Sequence, residues 1–235
     1  MSFDIRKYEY HRFTRDAMVK STELVTIEQR YSLIVDGEIT THINSSPSDL
    51  EALGYGNLVS LGLISSMSDV RMMKVEGNEI SVELAMPHPD GNLDSKDAMY
   101  PFTISPEYVF RSLEYLETET YRKTSGAHSA TILDDECSIV ARGVDASRHS
   151  AYDKAIGMAL MVGADLERSV LLASGRQSAE MVAKAVRATI PIVISKAAPI
   201  SSGIDLAREN GLTLICFADG QKFSVFSGVD RISLP

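Results

Sequence analysis

Thiols are scarce in this chain, which has only two cysteines, Cys137 and Cys216, among 235 residues. Two thiols cannot form a disulfide framework, and neither belongs to a Cys-x-x-Cys pair or to a His/Cys cluster with zinc-ligand spacing. We therefore expect neither structural disulfides nor a zinc site. Long apolar runs are also missing: the first residues form no apolar core of an export signal, and no run could span a bilayer. These absences predict a cytoplasmic protein that does not insert into a membrane.

Positive charge is in short supply, because 23 Lys and Arg residues face 32 Asp and Glu residues and the net charge is −9. This balance argues against broad binding to nucleic acid, which needs a clustered basic surface. It does not exclude one local basic pocket for a nucleotide. Hydrophobic residues make up 44% of the chain, so a substantial core is expected. The length suits one large domain or two small ones.

The first 105 residues have the pattern of a small α+β domain. The predicted elements are an arm or first strand over 1–20, hairpins that turn at Asp36-Gly37 and at 76–78, and between them a helix over 50–61. We expect Gly54 and Gly56 to interrupt this helix. The segment 86–105 is rich in proline and is the best candidate for a linker.

From residue 106 onward, strand patterns alternate with helix patterns. The predicted elements are a helix over 107–119, a hairpin of strands 128–133 and 138–142, and later strands over 169–173, 190–195, 212–217 and 223–226. Strands joined through helices predict a largely parallel sheet that is covered on both faces. Ligands of such sheets bind beyond the carboxyl ends of the strands.

Polar loops follow several of these predicted strand ends. They are 143–149, 174–176, 195–202 and 217–222. A helix N-terminus attracts anions through its dipole and free N–H groups, and an arginine can bind phosphate with two parallel hydrogen bonds. The loops therefore predict one anion-binding pocket. The alternative for the first loop is a solvated helix cap, with Asp145 or Ser147 near the capping position.

Three further residues could carry nucleophilic chemistry, but their surroundings argue against it. His128 lies beside Ser129, yet no acid is placed to orient it, so we expect a strand histidine bonded to backbone. Cys137 follows three acids, which would raise its thiol pKa, and Cys216 lies in an apolar strand of the predicted core. No catalytic residue is assigned.

Four motifs in the second half, together with two in the first, resemble those of a known family. They are T-S-G-A-H-S-A (124–130), G-V-D-A-S-R-H-S-A-Y-D-K-A-I-G (143–157), S-G-R-Q-S-A-E-M-V-A-K-A (174–185), P-I-V-I-S-K-A-A-P-I-S-S (191–202), I-V-D-G (34–37) and S-P-S-D-L-E-A-L-G-Y (46–55). In their order along the chain they resemble the signature of the formate dehydrogenase accessory protein family, FdhD or NarQ. The likeness covers about residues 23–232.

The resemblance implies a fold and a role. The fold is an α/β one: a cytidine-deaminase-like three-layer domain over 106–235 and a smaller α+β domain over 1–105. The role is that of a sulfur carrier, in which a persulfide cysteine takes sulfur from a cysteine desulfurase and passes it to the molybdenum cofactor of formate dehydrogenase. It also implies binding of the bis-molybdopterin guanine dinucleotide form of that cofactor. The likeness to deaminases is one of fold only, because the zinc motifs H-x-E and P-C-x-x-C are absent.

The predicted binding set joins the family's cofactor-binding turn to the polar loops. Its members are Arg148, His149, Ser174, Gly175, Arg176, Phe217, Ala218, Asp219, Gly220, Gln221 and Lys222. In this set Arg148 and Arg176 would meet phosphates, and His149 would donate a hydrogen bond. Asp219 stands where the family usually has a basic residue. We expect Asp153 and Lys154, one turn further on, to form structural pairs.

The chain departs from the family where sulfur would be carried. The family's Cys-rich loop, with a C-G-x-C-G pattern, would fall within 90–123, and that interval contains no cysteine. A persulfide needs a sulfur atom, so it is open whether this chain is an enzyme. Three interpretations remain: a cofactor-binding protein that has lost sulfur transfer, a sulfurtransferase that uses Cys137, or a scaffold for the dehydrogenase or desulfurase. The exposed hairpin edges also suggest a homodimer.

Overall fold

The computed structural model describes residues 4–86 and 102–233. The first range contains β1 (Ile5–Phe13), β2 (Met18–Thr26), β3 (Gln29–Val35), β4 (Glu38–Ser45), α1 (Leu50–Leu61), β5 (Val70–Glu76) and β6 (Glu79–Leu84). Strands β1 and β2 form an antiparallel ribbon, so the described part of the predicted arm is a strand. The other four strands form a sheet in the order β4-β3-β6-β5. Most of the predicted linker lies outside the described residues.

Both predicted hairpins are confirmed. Asp36 and Gly37 have φ angles of 50° and 87°, as the two central residues of a type I′ turn require, and they join β3 to β4. The second turn contains Gly77, also at positive φ, and joins β5 to β6. Strand β3 pairs with β6 in parallel, which combines the two hairpins into one sheet.

The second range contains eleven helices and strands. They are α2 (Pro106–Ser112), α3 (Glu119–Thr124), β7 (His128–Leu133), β8 (Ile139–Asp145), α4 (Arg148–Met161), β9 (Val170–Ala173), α5 (Ala179–Arg187), β10 (Ile192–Ser195), α6 (Ser201–Glu209), β11 (Thr213–Cys216) and β12 (Ser224–Ser227). The single helix predicted over 107–119 is wrong. Helix α2 ends early, and the Thr118 hydroxyl accepts a hydrogen bond from the Tyr121 amide to begin α3.

The strands of this range form one sheet in the order β12-β11-β10-β9-β7-β8. Only β9, β10 and β11 are mutually parallel, whereas β7, β8 and β12 run antiparallel to their neighbours. The prediction of a largely parallel sheet is therefore wrong for the outer strands on both sides of the sheet. The reason is connection length, because the short turns after β7 and β11 allow only hairpins, whereas parallel neighbours need a crossover.

Both faces of this sheet are covered, as predicted. Along β9, Leu171 faces one core, which also holds Ile156 of α4, while Leu172 faces a second core, which holds Val109 of α2. The fold is thus a mixed α/β one, as the sequence indicates. The boundary predicted at residue 105 stays a prediction. In the described ranges, no helix is long and apolar enough to cross a membrane.

Helix α1 is not interrupted by its glycines, contrary to prediction. A Cβ atom at Gly56 would lie 1.7 Å from the Asp153 carbonyl oxygen, and one at Gly157 would lie 1.9 Å from that of Ala52. The glycines thus allow α1 and α4 to approach closely enough for backbone contact. This contact joins the first part of the chain to the helix that begins at Arg148.

Candidate functional site

Polar segments from five strands meet at one edge of the six-stranded sheet. They are 126–128, 145–149, 174–178, 195–200 and 217–222. Because β7 is antiparallel to β9, its first residue His128 lies at the edge where β9 ends, and it pairs there with Asp145 of β8. The loops predicted from the sequence therefore lie side by side, about 4.8 Å apart per strand.

Arg148 and Gly175 are in direct contact at this edge. A Cβ atom at Gly175 would lie 3.1 Å from both Cβ and Cδ of Arg148, so the arginine stem lies across the glycine. The Arg148 Nε is buried and has no hydrogen-bond partner among the described residues. Arg176 follows on the same loop and is exposed. The structure thus brings together two of the predicted phosphate-binding arginines.

Ser174 is turned inward and binds His128. Its hydroxyl oxygen accepts a hydrogen bond from the Ser129 amide at 3.0 Å and lies 3.2 Å from His128 Nδ1. Burial lowers the pKa of His128, and the positive charges of Arg148 and Lys196 lower it further. The imidazole is therefore neutral at neutral pH. The expectation that His128 bonds to the backbone is wrong, because its partner is the side chain of Ser174, which follows the neighbouring strand β9.

Lys196 is a second member of this edge that the sequence prediction missed. It is exposed, and its ammonium lies 5.4 Å from the ring centroid of Tyr121. The loop that carries it is held in place because the Ser195 hydroxyl donates to the Gly175 carbonyl at 2.8 Å. The available signal for both missed residues was their position within the family motifs at 124–130 and 191–202. Arg148, Arg176 and Lys196 form what we call the cationic edge.

The turn 217–222 also lies at this edge, but two of its backbone amides bond to a side chain of the same turn. The Asp219 carboxylate accepts hydrogen bonds from the amides of Gln221 and Lys222 at 2.8 and 2.9 Å. These bonds lower the pKa of Asp219. The same amides would be the natural donors to a phosphate, so the Asp219 carboxylate occupies the donors of this turn. Phe217, which is 47% exposed, offers an aromatic face beside it.

Two members of the turn have simple roles. The Ala218 amide donates to the Ser195 carbonyl at 3.1 Å, which anchors the turn to the neighbouring loop. Around Gly220 no atom lies within 4 Å of an added Cβ, so that position is open to solvent.

His149 is directed away from the cationic edge. Its Nε2 lies 3.7 Å from a carboxylate oxygen of Glu180 on α5. Burial lowers the pKa of His149, and the charge of Lys184 adds to the effect. The grouping of His149 with Arg148 is therefore not what the structure shows, since adjacent helix residues point about 100° apart.

The acid and the lysine that follow on α4 each form a structural pair, although not with each other. Lys154 Nζ lies 2.8 Å from the Asp145 carboxylate, and both side chains are fully buried. Asp153 pairs instead with Lys184 at 2.5 Å. Helix α4 thus carries Arg148 at its start, and Asp153 and Lys154 further along each belong to a buried ion pair.

Neither thiol is exposed. Cys137 is 2% exposed in the turn between β7 and β8, and burial raises its pKa. That turn lies at the opposite edge of the sheet, a strand length of about 17 Å from His128. Cys216 is fully buried at the end of β11, and burial raises its pKa to about 12. Both thiols are therefore protonated and enclosed at neutral pH.

Comparison with known proteins assigns this chain to a family. Residues 89–233 match the FdhD/NarQ family. The chain therefore belongs to the FdhD/NarQ family, as the motifs predicted. The sulfur carrier protein FdhD of Wolinella succinogenes is 31% identical over 92% of this chain and 85% of its own. The protein of the same name from Methanothermobacter thermautotrophicus is 30% identical over 84% of this chain and 87% of its own.

A solved structure has the same fold. It is that of a protein described as a formate dehydrogenase accessory protein, from Desulfotalea psychrophila, with a TM-score of 0.85. The alignment covers 97% of this chain and 99% of the other, at 23% sequence identity.

Proposed function

We propose that this protein assists the maturation of a formate dehydrogenase by binding the bis-molybdopterin guanine dinucleotide cofactor as cargo at the cationic edge. The names of its relatives, sulfur carrier protein FdhD and formate dehydrogenase accessory protein, support this general role. The observation that carries the site is the buried Arg148 Nε, which has no hydrogen-bond partner among the residues that the structure describes. The Arg148 side chain lies against Gly175, and the exposed Arg176 and Lys196 belong to the same edge.

The residues of this edge fit a ligand with phosphate groups. An arginine N–H that is buried without an acceptor costs free energy, and a phosphate oxygen would satisfy it. In a chain of net charge −9, three cations converge here, and no ion pair involving Arg148, Arg176 or Lys196 occurs among the described residues. The Phe217 face could stack on a guanine base. The molybdenum centre itself would supply redox chemistry in the dehydrogenase.

We further propose that this chain does not carry the sulfur atom itself. The interval 90–123 contains no cysteine, and a persulfide cannot form on any other side chain. The alternative that Cys137 serves as carrier is weakened by its burial, its raised pKa and its place at the opposite edge. A cysteine desulfurase and the dehydrogenase remain the proposed partners, with the sulfur handed over elsewhere. A homodimer formed through exposed hairpin edges also remains a proposal.

Calorimetric titration with GDP tests the binding site. We expect GDP to bind and Arg176→Ala to weaken binding about tenfold, because one charge-assisted hydrogen bond contributes about 1.5–3 kcal/mol. Arg168→Ala is the matched control. Arg168 is an exposed arginine that lies just before β9, at the other edge of the sheet, and forms an ion pair with Asp135. No binding at millimolar GDP, or equal binding by wild type and Arg176→Ala, would reject the site.

The sulfur proposal needs a separate measurement. A Cys137→Ser/Cys216→Ser double variant should restore formate dehydrogenase activity in a strain that lacks the gene as well as wild type does. Loss of complementation, with a persulfide trapped on Cys137 after incubation with a desulfurase, would establish the sulfurtransferase alternative.

A scaffold without cargo is the second candidate function. The Asp219 carboxylate favours it, because it adds negative charge and takes two amide donors from the turn 217–222. Under this candidate the dehydrogenase would bind the protein with the same affinity in the presence and absence of GDP.

A further inference from the structure

A cleft lies apart from the cationic edge, between β4, α1, α4 and α5. Its volume is about 930 Å³, which falls in the range of small-molecule sites. His149 lines this cleft, whereas Arg148 and the loop 174–176 do not. The cleft is therefore a different site from the one proposed for the cofactor.

The floor of the cleft is a buried carboxylate, Asp153, that accepts three hydrogen bonds. Asp153 accepts hydrogen bonds from Ser60 Oγ at 2.6 Å, from Lys184 Nζ at 2.5 Å and from Asn57 Nδ2 at 2.8 Å. These bonds fix the orientation of the Asn57 amide, because a flipped amide would place its oxygen against the carboxylate. The Asn57 Oδ1 must therefore face away from Asp153.

Two buried polar atoms in this cleft lack partners among the described residues. Asn57 is only 9% exposed, and its Oδ1 accepts no hydrogen bond. Arg187 donates from Nη1 to the Ser60 carbonyl at 2.5 Å, but its buried Nε donates to nothing. Each unsatisfied buried group costs about 1–3 kcal/mol. Both residues line the cleft, so its wall contains one acceptor and one charged donor that have no partner among the described residues.

The charge of the lining favours an anion. Lys184 is neutralised by Asp153, so the remaining charges are Arg187, the exposed Arg30 at the rim and the exposed Glu180. This leaves a positive balance in a chain whose net charge is −9.

We propose that this cleft binds a small organic anion that carries a hydroxyl group next to its phosphate or carboxylate. The anionic oxygens accept hydrogen bonds from Arg187 and Arg30, and the hydroxyl donates to Asn57 Oδ1. A bare inorganic oxyanion satisfies only the arginines. This proposal does not depend on cofactor binding at the cationic edge.

Calorimetric titrations with sn-glycerol 3-phosphate, L-malate and inorganic phosphate test it and distinguish a phosphate from a carboxylate ligand. We expect at least one of the first two to bind, and to bind more tightly than inorganic phosphate. Arg187→Gln and the rim variant Arg30→Gln should each weaken that binding about tenfold, as expected for one lost charge-assisted contact. The control Arg168→Gln should leave it unchanged.

Two comparisons separate this site from the cofactor site. Saturating GDP and the Arg176→Ala variant should both leave the glycerol 3-phosphate or malate affinity unchanged. The proposal is wrong if neither hydroxylated anion binds at about 10 mM, a very weak affinity. It is also wrong if Arg187→Gln and Arg30→Gln, shown to be folded by circular dichroism, bind as wild type does, or if inorganic phosphate binds equally well.

Discussion

A buried ion pair connects the start of α4 to the first part of the chain, and its removal should destabilise the whole fold. Lys154 Nζ lies 2.8 Å from the Asp145 carboxylate and 3.1 Å from the Ser46 carbonyl. Asp145 also accepts from Ser45 Oγ at 2.6 Å and from the Ser46 amide at 2.9 Å. A further bond from the Ser147 amide, at 2.8 Å, fixes the residue before Arg148. The pair therefore supports both the contact between the two parts and the geometry of the cationic edge.

The substitution Lys154→Met tests this role. Methionine keeps the length of the side chain but leaves the Asp145 charge buried and unpaired, a change that costs about 3–5 kcal/mol. Three other hydrogen bonds to the carboxylate remain, so we expect the lower end, about 3 kcal/mol. For a domain of this size, that loss lowers Tm by roughly 6–12 °C.

Urea unfolding followed by circular dichroism measures the effect. The matched control is Lys123→Met, because Lys123 forms an exposed pair with Glu119 one helical turn away and should change stability by less than about 0.5 kcal/mol. Adding Asp145→Asn to the Lys154→Met variant removes the unpaired charge and should recover part of the loss. A loss below about 1 kcal/mol in Lys154→Met would refute the reasoning.

Three further predictions concern the edge itself. Gly175→Ala should weaken GDP binding, because the new Cβ displaces Arg148, while the control Arg168→Ala at the other edge should not; equal calorimetric affinities would contradict the contact. Asp219→Asn should tighten GDP binding two- to fivefold, by roughly 0.5–1 kcal/mol, because it removes a negative charge yet keeps an amide oxygen as acceptor. An unchanged affinity in calorimetry would contradict this prediction. Since the pKa of His128 is lowered in the folded state, the unfolded chain takes up the proton first, so stability should fall as pH drops below about 6.5. Urea titrations at pH 7.5 and 5.5 should show a smaller drop for His128→Gln, and an equal drop would exclude this contribution.

Local signals in the sequence were sufficient for local structure and for family membership. Asp36 and Gly37 predicted their hairpin because both tolerate positive φ, and that preference acts within the turn itself. The strands of the C-terminal sheet were predicted to within three residues because their apolar runs are short and bounded by turn residues. The polar loops were correctly placed at one edge, since the carboxyl ends of parallel strands must meet there.

Contacts between distant parts of the chain were decided only by the tertiary structure. Gly56 reads locally as a helix breaker, and its purpose is visible only where the backbone of Asp153 touches it. The orientation of His149 towards Glu180 depends on where α5 packs, which no spacing within the motif specifies. Lys154 pairs with the carboxylate of Asp145, which lies at the end of the strand before its own helix. The serines that also bond to this ion pair lie about a hundred residues earlier in the chain. Such partners are set by burial, because a buried charge must find its counterpart wherever the fold places it.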